Sequence, residues 1–114
     1  MKRASGPLIV PAPVTAEVDY LLANSRVPEA ARSFLRDIAA GRFIVECLTP
    51  SEYLTVLQLG SRYAALKPGL ADLSVVVLAD RFRTRRIFTL DQRHFRAMQS
   101  LDGEPFVLLP WDER

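Results

Sequence analysis

Three carboxylates occupy positions where the surrounding pattern favours apolar side chains. Glu17 lies within an apolar stripe at helical spacing. Asp72 is the sole acid in the first three turns of a helix that is otherwise apolar almost all round and that we therefore expect to be buried. Asp91 directly follows a predicted strand. Burying an unpaired charge is costly, so acids in such places pair with a cation or bind one. Carboxylate oxygens are the ligands that hard divalent cations prefer, which makes these residues candidate metal ligands.

Each of these acids also has a purely structural explanation. Asp91 can cap the helix that follows it, Asp72 lies near a helix start where an acid favours the helix dipole, and Glu17 can pair with an arginine at the core edge. The functional interpretation gains weight from all three together. Acids from separate segments would meet at the carboxyl end of one parallel sheet, where open α/β folds bind ligands and where clustered like charges require neutralisation.

Arginines concentrate late in the chain and bracket Asp91. One interpretation is a solvated helix end whose cations favour the helix dipole, and the other is a rim that contacts the phosphates of a nucleic acid. We favour the second because of the position of Asp91. The arginine cluster comprises Arg81, Arg83, Arg85, Arg86, Arg93 and Arg96.

Composition bounds the remaining possibilities. The chain has 114 residues, of which 49% are hydrophobic and 25% charged, so disordered and fibrous classes are excluded. No apolar run approaches the length of a membrane span, and the charged start leads into no signal-peptide core. The net charge of +2 permits a nucleic-acid partner but does not demonstrate one. We expect a single domain over residues 1–114, located in the cytoplasm.

Cysteine and histidine supply no further chemistry. The single cysteine, Cys47, excludes an internal disulfide and a cysteine-based zinc site, and we expect it to be a small buried hydrophobe. His94 has no metal-ligand partner at a recognisable spacing, and we expect it to pack beside Phe95. Glycine-rich phosphate-binding motifs are absent from the sequence.

Alternating strand-like and helix-like periodicities predict the elements that must position the three acids. The order β-α-α-β-α-α-β-α-β predicts an α/β fold with a parallel sheet and helices on both faces. The predicted strands are Leu8–Val10, Phe43–Leu48, Arg86–Leu90 and Phe106–Leu109. The predicted helices run from about Val14 to Leu22, from Pro28 to Ala40, from Thr49 toward Tyr63, from Leu70 to Phe82 and from Gln92 to Met98.

Local signals fix two of the helix ends. Residues 49–52 match a capping box, with a threonine cap, proline in the first turn and Glu52 three residues after the cap. Gly41 stands where a helix is commonly closed by glycine. In the helix before Gly41, the apolar spacing predicts that Phe34, Leu35 and Ile38 are buried.

Three segments, in this order, resemble PIN-domain nucleases. Residues 10–22, VPAPVTAEVDYLL, are similar to the segment that carries the second acid of that family. Residues 69–79, GLADLSVVVLA, resemble the helix that carries the third acid, and residues 89–95, TLDQRHF, resemble the strand end that carries the fourth. The order and spacing best match the VapC-type toxins of bacterial toxin–antitoxin pairs.

The resemblance implies a PIN-like three-layer α/β/α fold with a central parallel sheet. It implies a metal-dependent endoribonuclease that hydrolyses RNA phosphodiester bonds as the toxin of a VapBC-type pair. Glu17, Asp72 and Asp91 match acids that the family uses to hold Mg or Mn. The resemblance further implies a homodimer, an RNA substrate and a cognate VapB-type antitoxin as partners.

One feature of the family has no counterpart in this sequence. The family opens with a strand that carries its first acid, followed by a helix, and that strand lies between the strands predicted here at Leu8–Val10 and Arg86–Leu90. The sequence therefore resembles a PIN domain without its first strand and first helix. Two explanations are a reading frame that begins further upstream and a degraded toxin. The alternative to an active ribonuclease is accordingly a catalytically impaired toxin that acts only as an antitoxin-binding or dimerisation module.

Overall fold

The predicted order of elements is confirmed in the computed structural model, which describes residues 8–89, 93–109 and 112. A short 3₁₀ turn at Ala64–Leu66, between α3 and α4, was not predicted from the sequence. The elements are β1 (Leu8–Pro11), α1 (Ala12–Ala23), α2 (Glu29–Ala39), β2 (Phe43–Glu46), α3 (Pro50–Arg62), α4 (Leu70–Arg81), β3 (Arg86–Phe88), α5 (Arg93–Ala97) and β4 (Val107–Leu109). None of the helices described is long and apolar enough to cross a membrane.

All the described strand pairs are parallel, which confirms the α/β class expected for a PIN-like fold. β1 pairs with β2 from Leu8 opposite Phe43 to Pro11 opposite Glu46. β3 pairs with β4 in the same sense, with Ile87 opposite Leu108. Within the described residues these four strands form two separate pairs.

The described residues up to Leu48 form one compact unit, called here the N-terminal unit. It contains β1, β2, α1 and α2, and α2 packs on β2 through the rings of Phe34 and Phe43, whose centroids are 5.8 Å apart. Its core is thin: α1 contains no buried residue, and α2 contains one, Ala31. Large apolar side chains of this unit are exposed, among them Tyr20 and Leu21 on α1.

The described residues from Thr49 onward form the C-terminal unit, which has a well-packed core. Its centre is α4, and the prediction that this helix is apolar and buried nearly all round is confirmed. Val76 of α4 and Leu108 of β4 are fully buried. The buried residues of α4 are Ala71, Leu73, Ser74, Val76, Val77, Leu78 and Ala79.

Both predicted helix-end signals are confirmed. The hydroxyl of Thr49 accepts a hydrogen bond from the backbone N–H of Glu52, and the Glu52 carboxylate accepts one from the backbone N–H of Thr49. This reciprocal pair satisfies two N–H groups that a helix start otherwise leaves without partners. Gly41 directly follows Ala40, the C-cap residue of α2. The φ angle of Gly41 is +78°, a conformation that glycine adopts without steric cost.

The predicted burial of Leu35 and of Cys47 is wrong, and Phe34 and Ile38 are half-buried. Leu35 is 51% exposed, because Phe34 and Ile38 face the unit's interior and Leu35 lies on the outer side of α2. Cys47 is also exposed. It directly follows β2, a strand in which no residue is buried, so the end of the strand offers no buried environment for its side chain.

Candidate active site

Asp72 is held by the most deeply buried helix of the described chain. It is the third residue of α4, after a cap formed by Gly69, whose backbone is extended and which offers no side-chain acceptor. The side chain is half-buried, between the buried residues Ala71 and Leu73. The negative charge there is favoured by the helix dipole. The placement therefore satisfies the structural explanation and also gives a candidate ligand a rigid support.

Glu17 lies in the second turn of α1, which begins directly after β1. The side chain is exposed, and no residue of α1 is buried. The sequence argument that Glu17 interrupts a buried stripe is therefore wrong in its premise, because the stripe itself is not buried. The position remains near the carboxyl end of a parallel strand, and the metal-binding role of Glu17 stays a prediction.

Asp91 lies outside the described residues, as do its neighbours Leu90 and Gln92. Glu17 belongs to the N-terminal unit and Asp72 to the C-terminal unit, and each is placed within its own unit. Across residues 8–89, 93–109 and 112, no group of three or more His, Cys, Asp or Glu side chains stands close enough to hold a metal ion. The convergence of the three acids stays a prediction.

Arg81, a member of the arginine cluster, forms an ion pair with Glu52. Its Nε and Nη2 donate to the two carboxylate oxygens of Glu52, at 3.0 and 2.5 Å. Both side chains are largely shielded from solvent, with 28% of Arg81 and 18% of Glu52 exposed. The guanidinium hydrogen bond is the main reason that the pKa of Glu52 falls to about 2, and the hydrogen bonds with Thr49 contribute further.

This ion pair links the start of α3 to the end of α4, and sequence reasoning missed it. The capping box was recognised from residues three apart, whereas Arg81 is 29 positions from Glu52. The only signal was an arginine in the last turn of a helix, which the dipole alone explains.

Arg96 is likewise engaged by a carboxylate. Its two terminal nitrogens donate to Asp112 at 2.7 and 2.6 Å, and that contact lowers the pKa of Asp112 to about 2. The side chain of Arg93 lies outside the description. Ion pairing therefore accounts for the positions of two of the six predicted RNA-contacting arginines, Arg81 and Arg96.

The other three arginines are exposed and lie where the chain leads from α4 into β3, a segment called here the basic turn and comprising Arg83, Arg85 and Arg86, the first residue of β3. Arg83 has φ of +53°, and its backbone N–H donates to the carbonyl of Asp80. Arg85 is 3.9 Å from Asp102 in a loose, exposed contact. The basic turn follows the C-terminus of α4, whereas Asp72 lies at the N-terminus, roughly 14 Å away along the helix axis at 1.5 Å per residue.

Comparison with known proteins provides a relative. No family model matches the chain. The chain is 38% identical over 103 residues to "Ribonuclease VapC26" of Mycobacterium tuberculosis (strain ATCC 25618 / H37Rv). The aligned region covers 90% of this chain and 76% of that protein. With its parallel strands, the acid on its buried helix and this identity over most of its length, the chain belongs to the VapC ribonuclease family.

Proposed function

We propose that this chain is the toxin ribonuclease of a VapBC-type toxin–antitoxin pair and hydrolyses RNA phosphodiester bonds at a PIN-like, metal-dependent active site. The observation that carries the proposal is the 38% identity to a VapC ribonuclease over 90% of the chain. The half-buried carboxylate of Asp72 on the buried helix α4 supports it, because catalytic groups act best from rigid elements.

The residues proposed to hold the metal are Glu17, Asp72 and Asp91. Their donor chemistry fits Mg or Mn, since hard divalent cations are bound in proteins through carboxylate oxygens. When bound, such an ion supplies Lewis acidity toward a phosphate oxygen and toward the attacking water. The packing of α4 in the core fixes the backbone at Asp72, so only its side chain would have to be ordered when it becomes a ligand.

We assign the basic turn to RNA binding. Guanidinium groups contact backbone phosphates without reading sequence, and the exposure of Arg83, Arg85 and Arg86 leaves them accessible to a polyanion. Arg93 and Arg96 are the remaining candidates, and Arg81 would contribute only at the expense of its bond to Glu52. Since the basic turn follows the opposite end of α4 from Asp72, it would hold phosphates remote from the cleaved bond. Its substitution should therefore raise KM more than it lowers kcat.

The decisive experiment is a cleavage assay on structured RNA with the purified chain. We expect cleavage with Mg or Mn, none with EDTA, and loss of cleavage in Asp72→Asn and in Asp91→Asn. Asp80→Asn is the matched control, because Asp80 is an exposed acid on the same helix and should leave cleavage unchanged. Cleavage that persists in EDTA, or in both Asp72→Asn and Asp91→Asn, would contradict the proposal.

A second candidate is a module that binds an antitoxin or a sister toxin without cleaving RNA. The observation that favours it is the thin core of the N-terminal unit, where Tyr20 and Leu21 stay exposed as binding surfaces often do. Co-purification with a VapB-type antitoxin, or as a homodimer, together with no metal-stimulated cleavage would support this candidate over the first.

A further inference from the structure

An aromatic side chain lies exposed beside the basic turn, and the proposed ribonuclease site does not use it. Phe82, the C-cap residue of α4, is 41% exposed, although α4 has more buried residues than any other described helix. Phe82 stands one position before Arg83 and three before Arg85, so the Cα atoms of Phe82 and Arg85 are at most about 11 Å apart. An exposed ring and exposed cations therefore share one short segment of the surface.

The ring of Phe82 is held in place by the fold. The guanidinium carbon of Arg81 lies over the ring, 5.7 Å from its centroid, which is within the range of a cation–π contact. Arg81 is itself fixed by its two hydrogen bonds with Glu52. An anchored group thus contacts the ring while the residue stays accessible to solvent. A planar ligand would meet a ring that is already ordered, so little entropy would be lost in ordering it.

The arginine that follows this ring has a backbone conformation that favours glycine. Arg83 has φ of +53°, and its backbone N–H donates to the carbonyl of Asp80. The backbone N–H of Thr84 donates to the carbonyl of Ala79, which completes a Schellman motif with Arg83 at the position where glycine is usual. In the described part of the chain, the Arg83 side chain makes no ion pair or hydrogen bond that would offset the strain. A strained residue of this kind points to a functional role.

We propose that Phe82 and the basic turn bind unpaired RNA, with a nucleobase stacked on the Phe82 ring and the adjacent phosphates held by the arginines. This inference rests on the proposed function, because it gives the RNA substrate a second contact region at the end of α4 remote from Asp72. Aromatic rings stack on bases of every kind, and guanidinium groups hold the backbone without reading sequence. Rings and cations side by side are typical of surfaces that bind single-stranded RNA.

Unpaired RNA fits this surface better than two other occupants. In a duplex each base is covered by its neighbours, so a double strand would use the arginines but not the ring. A second copy of the chain seated on the same surface would bring two sets of arginines together, which like-charge repulsion disfavours. Of the nearby acids, Asp102 approaches Arg85 only to 3.9 Å, with both side chains about half exposed, so a phosphate can compete for this arginine.

The probe for this inference is a short fluorescein-labelled oligouridylate, compared with the same strand paired to oligoadenylate. Binding to the intact chain is measured by fluorescence anisotropy in EDTA, so the result does not depend on metal or on cleavage. Backbone amide shifts locate the bound strand. We expect the single strand to bind more tightly than the duplex, to shift the amides of residues 82–86, and to bind more weakly as salt is added.

Substitutions at position 82 separate stacking from simple apolar contact. Phe82→Leu keeps an apolar side chain but removes the ring, and it should weaken single-strand binding about ten-fold. Phe82→Trp keeps an aromatic ring and should bind at least as tightly as the unchanged chain. The matched control is Tyr53→Leu on α3, which removes a ring of similar exposure, 44%, and should change binding less than about two-fold.

A substitution at position 83 tests the arginine without straining the fold. Arg83→Gly removes the guanidinium and suits the left-handed backbone. It should weaken single-strand binding about five-fold, while the midpoint of thermal unfolding stays the same or rises. Arg26→Gly removes the same charge from another exposed arginine and should change binding less than about two-fold.

Three results would overturn the inference. One is binding by Phe82→Leu that is as tight as that of the unchanged chain. Another is equal binding of the duplex and the single strand. The third is a shift of the amides of residues 82–86 with protein concentration but not with RNA, which would assign the surface to a second copy of the chain.

The outcome for this surface is separable from the outcome for the ribonuclease site. If one of these three results occurs while the chain cleaves RNA with Mg or Mn, the proposed function stands and the stacking surface is rejected. If binding depends on Phe82 but neither metal stimulates cleavage, the stacking surface stands and the proposed ribonuclease function is rejected.

Discussion

Two helices of equal length, α1 and α4, differ in how many of their residues are buried. Each has 12 residues and is rich in apolar side chains, yet α1 buries none of its residues and α4 buries seven. The difference lies in their neighbours. α4 packs against α3 and β3 within a unit that has a core of its own, whereas α1 has only α2 and two short strands beside it within its unit. Apolar content alone therefore does not decide burial.

The same contrast separates the two acids that these helices carry. Asp72 projects from a helix fixed by packing, and Glu17 projects from a helix in which no residue is buried. A ligand on a packed helix is held in place before the metal arrives, and a ligand on an exposed helix must be ordered on binding.

Replacing a leucine by alanine should show the difference in burial between α1 and α4 most clearly. Leu78→Ala on α4 removes a side chain that is 3% exposed, and we expect a loss of about 2–5 kcal/mol in the free energy of unfolding. Leu21→Ala on α1 removes one that is 60% exposed, and the change should stay within about 0.5 kcal/mol. Urea unfolding of both variants measures the difference. Equal losses would mean that the N-terminal unit is packed as tightly as the C-terminal unit.

The ion pair between Glu52 and Arg81 predicts the next largest effect. Glu52→Gln removes a charge-assisted contact between partly buried groups and should lower the free energy of unfolding by about 2 kcal/mol. The exposed pair Asp37–Arg42 of the N-terminal unit is the matched control, and Asp37→Asn should cost about 0.5 kcal/mol or less. A cost for Asp37→Asn that equals the cost for Glu52→Gln would contradict the argument from burial.

The lowered pKa of Glu52 gives this pair a pH dependence. Its pKa is about 2 in the folded chain and about 4.5 in its ordinary environment, so the folded state favours the carboxylate. The stabilisation is fully present above the ordinary pKa and is lost as the pH falls from about 4.5 toward 2. Unfolding measured at pH 6 and at pH 3 should show a smaller drop in Glu52→Gln than in the unchanged chain. An identical drop would show that Glu52 does not contribute.

The smallest expected effect concerns the end of α2. Gly41→Ala places a side chain at φ of +78°, and we expect a loss of about 1 kcal/mol from backbone strain, since no atom lies within 4 Å of the added carbon. Gly41→Asn should cost less, because asparagine adopts this conformation more readily than alanine. Thermal unfolding of the two variants gives the comparison. A larger loss for asparagine would point to a steric cause instead.

Local sequence patterns predicted the order of elements, the capping box and the burial of α4, because each depends on residues within a few positions of one another. They also placed Asp72 on that buried helix. The exposure of Leu35 and Glu17 could not be foreseen in the same way. Periodicity shows which residues share a helix face, but which face gains a neighbour depends on the tertiary packing. The bond from Arg81 to Glu52 joins positions far apart in sequence, and no local pattern encodes it.

The carboxylate of Glu52 makes hydrogen bonds at the ends of two helices. It accepts one from the backbone N–H of Thr49 at the start of α3 and another from the side chain of Arg81 in the last turn of α4. Near the other end of this antiparallel pair, Gly60 lies beside Leu73, the residue after Asp72, and a carbon added at Gly60 would be 3.8 Å from Leu73 Cδ1. A slide of α4 along its own axis would pull both guanidinium nitrogens off the carboxylate, so this contact adds to the core packing that fixes the axial position of the helix. Lysine at position 81 would keep the charge but lose one of the two contacts, and the axial position of α4, and of Asp72 with it, would then depend on the core packing alone.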